Sequence, residues 1–167
     1  MTRAEAARWA AGSAYPATVY HVTTVEAAAS IRVRGFDLGR RAGGRAWGNG
    51  VYAAIDAGTR DRYLSQLGHH GVALVLRVRV ARVLSVRIAS TRLSPQRQLL
   101  AAIPGGVGRF IELGLVLPDR ETVLTRVIRE AGYHAVEIRE RGFSLPVGGN
   151  QLVVFDAERV VIIDDED

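Results

Sequence analysis

Apolar positions along the chain switch repeatedly between a helical and a strand period. Residues 4–11 are Ala-rich and helical in pattern until Gly12 and Pro16 break it, and 17–21 reads as a short strand. Thr23 followed by Glu26 forms a capping box for a helix over 25–34, which stops at Gly35. Residues 37–50 are rich in Gly and Arg, lack periodicity and read as a loop running into the apolar strand 51–55. Asp56 is placed to cap a helix over 57–67. The run 72–80 begins continuously apolar and ends alternating, so it predicts a strand buried at its start and half-exposed at its end. Residues 83–88 extend that strand or pair with it. Ser94-Pro95 opens a helix to Ala102, Asp119 opens another to Ala131, and strands follow at 134–138, 152–155 and 160–163.

Helices and strands are mixed without the regular alternation of a doubly wound parallel sheet, so the predicted class is α+β. No repeat or low-complexity stretch divides the 167 residues, which predict one domain over 1–167 ending in the acidic tail 164–167. The N-terminal residues mix charges into a helical pattern, and no apolar run approaches the ~20 residues of a membrane span. The expectation is a cytoplasmic protein without a membrane partner.

Composition then narrows the chemistry. The absence of Cys excludes disulfides, thiolate metal ligands and a cysteine nucleophile. The formal charge is +5, and every basic side chain among the 22 Lys and Arg is Arg. Arginine forks suit phosphate, so an anionic cofactor or nucleic acid is the expected kind of partner, although a general bias toward Arg, Ala, Val and Gly explains the same excess. His69-His70 reads as a helix-ending turn, because adjacent histidines do not face one metal in regular structure, and no metal site is assigned.

Three fragments place polar or aromatic groups at strand ends beside glycines: 19–23 (Val-Tyr-His-Val-Thr), 48–54 (Gly-Asn-Gly-Val-Tyr-Ala-Ala) and 148–156 (Gly-Gly-Asn-Gln-Leu-Val-Val-Phe-Asp). Ten residues separate Tyr52 from Tyr63, and a strand turning into a helix over that span brings both rings to one cleft. Each residue alone is an ordinary strand-end or core residue; their order and spacing set them apart. Together they resemble the ADP-ribosyltransferases of the diphtheria-toxin and poly(ADP-ribose) polymerase branch over about 19–163. The resemblance implies split antiparallel β-sheets with flanking helices and an NAD cleft, and it implies roles. His21 binds the adenosine ribose and the main chain of Val22 clamps the nicotinamide carboxamide. Tyr52 and Tyr63 stack on the nicotinamide, a cationic ring gaining about 0.5–2 kcal/mol per aromatic face. Thr23 supports His21 or the adenosine side, and by position Arg45 or Arg40 pairs with the pyrophosphate. Glu140 and Phe143 face the acceptor, and Trp47 either lids the pocket or anchors its loop.

Gln151 stands where that branch keeps its catalytic Glu. A carboxylate there bonds the ribose 2′-OH and stabilises the oxocarbenium-like centre as nicotinamide leaves. Gln keeps the hydrogen bond and loses a charge interaction of about 4 kcal/mol at an effective dielectric near 20, roughly a thousandfold in rate. Glu137 and Glu140 are the upstream carboxylates in reach of supplying it. The expected activity is mono-ADP-ribosyl transfer from NAD to a protein or nucleic acid, as a toxin or effector with an immunity protein as partner. The rivals are NAD hydrolysis, a non-catalytic NAD or ADP-ribose binding module, and a tRNA 2′-phosphotransferase.

Overall fold

The computed structural model describes residues 1–39, 46–89, 93–141 and 149–163, with main chain only at 140 and 141. In chain order the elements are α1 (Arg3–Trp9), β1 (Val19–Thr24), α2 (Val25–Arg34), β2 (Val51–Ala54), α3 (Ala57–Leu67), β3 (Gly71–Val78), β4 (Val83–Ala89), α4 (Pro95–Ala101), α5 (Gly106–Gly114), α6 (Arg120–Glu130), β5 (Ala135–Arg141), β6 (Gln151–Val154) and β7 (Val160–Ile162). The fold is α+β.

Side-chain caps set most helix starts. Asp56, Ser94 and Asp119 accept the N–H groups of Thr59, Arg97 and Thr122 at 2.7, 3.3 and 2.7 Å, satisfying donors that a helix N-terminus leaves orphaned. Thr24, not Thr23, caps α2, accepting from Ala27 N–H at 3.2 Å, and β1 therefore runs through Thr23. The glycine-rich 105–114 contains a helix, α5, that lacks a side-chain cap.

The strands form one sheet in the order β4-β5-β6-β2-β1-β3-β7. Pairing is antiparallel except between β4 and β5, where the long crossover through α4, α5 and α6 lets two strands lie parallel. The expectation that 83–88 would extend the preceding strand or pair with it is therefore wrong on both counts, because β4 is a separate strand at the far edge beside β5.

Alternation of side chains gives each face its own core. One face carries Val86, Ile138 and Val153 against Leu99, Leu113, Val127 and Ile128 of the three crossover helices. The other carries Val19, Val51, Leu74 and Leu152 against Ala28 of α2, with Tyr15 and Phe36 at its margin. Trp47 is 1% exposed within the first core, so it anchors its loop instead of lidding a pocket.

Candidate functional site

The sheet is nearly parted at its centre. β2 and β6 share four register pairs and β1 and β3 share six, but β1 and β2 share one, Tyr20 opposite Ala54. The main-chain directions explain what that leaves. Ile163 N–H donates to Val75 C=O at 2.8 Å and Arg79 N–H to Arg159 C=O at 2.9 Å, so Val75 and its alternates turn toward β7. Tyr20, opposite Val75, must then turn its N–H and C=O away from β3 and toward β2, and Val22 does the same two residues on.

Continuing the Tyr20–Ala54 register would set Val22 opposite Tyr52. Instead His21 Nδ1 lies 2.8 Å from the Tyr52 carbonyl oxygen. A carbonyl only accepts, so Nδ1–H donates, and the neutral ring keeps Nε2 as an acceptor. The imidazole has taken the carbonyl that Val22 N–H would otherwise bond, and the Val22 amide and carbonyl face the gap. Burial pushes the His21 pKa below its ordinary value, with the Tyr52 bond pulling partly against it, which favours this neutral form. Phe36 meets the ring edge-on, with centroids 5.1 Å apart and planes at 88°.

Tyr52 is fixed from the other side. Its hydroxyl donates to Gly48 C=O at 2.8 Å and accepts from Trp47 N–H at 2.9 Å, which holds the phenol against the glycine turn. That turn is bolted to α6: Asn49 N–H donates to Thr125 Oγ1 at 2.7 Å, and its side-chain amide donates to Thr122 Oγ1 at 3.1 Å. Gly48, at φ +105°, occupies the region where L side chains are strained, and a Cβ on Gly50 would lie 2.7 Å from the Val154 carbonyl oxygen.

Gln151 is buried at 5% exposure on the same face as Tyr52. Their strands pair Tyr52 with Val153 and Ala54 with Gln151, which makes the two side chains diagonal neighbours at about 7–8 Å. A row across this face reads Tyr20, Ala54, Gln151, Ile138, and Ala54 adds only a methyl group to its floor. The helix α3 covers the Tyr20 end of that face, with the Arg60 guanidinium 4.9 Å from the Tyr20 ring centroid. Tyr63 lies one turn beyond Thr59 on this helix.

Asn150 ties α3 to the strand that carries Gln151. Its N–H donates to Thr59 Oγ1 at 3.1 Å, its side-chain amide donates to Asp56 at 2.8 Å, and its carbonyl accepts from Ile55 N–H at 3.2 Å. Burial pushes the Asp56 carboxyl up, but the hydrogen bonds from Thr59 and Asn150 outweigh it and hold the pKa below its ordinary value.

His21 thus reaches only the Tyr52 main chain, from the face it shares with Leu74 and Phe36. The Tyr52 and Gln151 side chains neighbour each other on the opposite face, whose Tyr20 end is covered by the helix that carries Tyr63. Thr23 follows Val22 on β1, with its main chain turned to β3 opposite Val72. Glu137 does not supply the missing charge beside Gln151. It points to the opposite face, where Ser85 donates to it at 2.7 Å and Arg139 pairs with it at 2.7 Å. Glu140 is placed by main chain alone, on β5 opposite Ile88. Arg40, Arg45 and Phe143 lie outside the described residues. Phe36, Asn49 and Asn150 were not singled out from sequence. Asn150 stands beside Gln151 in a fragment already noted, whereas nothing local marks Phe36. No protein-family model and no curated protein matches this chain, so its residues carry the functional assignment.

Proposed function

We propose that this chain is an NAD-dependent mono-ADP-ribosyltransferase, built as a split-sheet fold of the ADP-ribosyltransferase type with its NAD cleft at the β1–β2 parting. The observation that supports this most is the parting itself: β1 and β2 share one register pair, and His21 Nδ1 bonds the Tyr52 carbonyl that continued register would give to Val22 N–H, which turns the Val22 main chain toward the parting. An N–H and a C=O side by side match a carboxamide, which offers one acceptor and one donor in return.

In this reading the nicotinamide carboxamide pairs with Val22, and its ring stacks on Tyr52 and Tyr63. His21 Nε2 accepts a ribose hydroxyl. The Gln151 side-chain amide hydrogen-bonds the 2′-OH of the nicotinamide ribose as the glycosidic C–N bond stretches. That bond breaks, its electron pair leaves with neutral nicotinamide, and a lone pair on an acceptor oxygen or nitrogen forms the new bond to ribosyl C1. The acceptor's proton passes to solvent. Arg45 or Arg40 holds the pyrophosphate, Glu140 and Phe143 face the acceptor, and the acceptor is a protein or nucleic acid of a target cell, with an immunity protein as antagonist.

The test is lysate incubated with labelled NAD, followed by mass spectrometry for ADP-ribose on protein and RNA. Labelled macromolecules are expected; free ADP-ribose alone would make the chain an NAD hydrolase. Recovery of intact NAD would contradict both. Gln151 favours one further reading, a binding module without catalysis. For that module Gln151→Glu should create turnover where the natural chain has none, while a chain adapted to Gln should gain little or lose activity.

A further inference from the structure

A second site lies at the other end of the sheet, where β6 finishes and β5 begins. A cavity of about 200 Å³ is lined by Arg129, Tyr133, His134, Asp156 and Arg159, enough space for a phosphate group and several waters. Arg82 adds its charge from the rim, with its guanidinium 4.8 Å from the Tyr133 ring centroid. Three guanidinium groups therefore face one carboxylate, Asp156, which sits 3.4 Å from Arg159. Among the described residues Arg82 and Arg129 have no carboxylate partner, unlike Arg109 and Arg126, which both pair with Glu130.

His134 adds a neutral donor. Its Nδ1 accepts from Ala81 N–H at 3.2 Å, which places the ring proton on Nε2. Burial and then the neighbouring Arg159 hold its pKa below the ordinary value, so the ring stays neutral beside the cations.

The same edge carries a second arginine on an aromatic ring. Arg79 lies 4.8 Å from the Trp9 ring centroid, and Arg79 and Arg82 are both exposed residues of one short connection. Their Cα atoms are at most about 11 Å apart along the chain. Each guanidinium lies over an aromatic ring and belongs to an exposed residue. Hydrogen-bond donors for phosphate beside two flat cationic platforms suit a polynucleotide, in which charged backbone and planar bases alternate at every residue, as they do not in an acidic peptide. We infer that this edge binds single-stranded nucleic acid, a backbone phosphate seated between Arg129, His134 and Arg159 and bases stacked on Arg79 and Arg82.

The surface is separate from the β1–β2 parting, so it is tested without NAD. Fluorescence anisotropy would use labelled single-stranded RNA and DNA of about 12 nucleotides, with an abasic strand of equal length and inorganic phosphate as competitor. Binding should weaken steeply between roughly 50 and 200 mM salt, and Arg129→Ala should lower the log–log slope by about 0.7. Arg82→Lys keeps the charge but removes the plane, so it should keep the slope while erasing a preference of roughly fivefold or more for the base-bearing strand over the abasic one. Melting curves confirm that both variants fold, and calorimetry with NAD should give the same result for both as for the natural chain, whatever that result is. No strand binding at low salt, natural affinity in both variants, or displacement by inorganic phosphate at matched phosphate concentration would each overturn the assignment.

Discussion

The seam between β2 and β6 is closed by four consecutive register pairs, whereas the seam between β2 and β1 closes at one and then parts. Both involve the same strand, with Val51 and Ala53 turned to β6 and Tyr52 and Ala54 turned to β1. The difference comes from one side chain. On the β6 side main-chain groups satisfy each other; on the β1 side His21 replaces Val22 as the partner of Tyr52. A closed seam contributes stability, and a parted one leaves polar main chain to be satisfied by something else, which is where a ligand gains binding energy.

The parted seam depends most on His21. His21→Ala leaves the Tyr52 carbonyl without its donor and removes the wedge. NAD affinity should fall by roughly a hundredfold, about 2–3 kcal/mol, and calorimetry reads this. An unchanged affinity would mean that the wedge has no part in binding. On the closed seam, Gly50→Ala drives a methyl group into the Val154 carbonyl, and chemical denaturation should show a loss of about 1–3 kcal/mol.

Tyr52→Phe separates anchoring from stacking. It removes the hydroxyl that holds Trp47 N–H and Gly48 C=O and should destabilise the fold by about 1–2 kcal/mol. NAD affinity should change by less than about threefold, because the ring face survives. A larger loss of affinity than of stability would assign the hydroxyl to the ligand.

The smallest effect is on pH dependence. The folded-state pKa of His21 is depressed, so its contribution is complete above the unfolded value near 6.5 and is lost as pH falls through the lower folded value. His134 is shifted the same way, so the two must be separated. In a His134→Gln background, stability should still decline below about pH 6.5, and NMR titration should show the His21 ring protonating later than a free imidazole. Protonation of His21 at or above 6.5 would contradict the buried donor arrangement.

These local signals were legible because they are chemical and short-range. Asp56, Ser94-Pro95 and Asp119 announce their helices through caps that act within three residues. The candidate residues were legible as strand-end fragments in a particular order. The parting was not, because it depends on register between residues 31 apart and on which way Val22 turns its main chain. α5 is not legible in the sequence because Gly105 starts it in a left-handed conformation without a side-chain cap, and glycines interrupt its helical pattern. Two adjacent threonines fit the cap of α2 equally well in sequence, and only the hydrogen bond from Ala27 N–H distinguishes Thr24 from Thr23.

The Val22 main chain is the group on which the account turns, and NMR reads it directly. Titrating isotope-labelled protein with NAD, and separately with nicotinamide, should shift the Val22 amide resonance saturably in both cases, alongside the ring signals of Tyr52 and Tyr63. Saturable binding of NAD that leaves Val22 unmoved, or no binding at all, would contradict the account.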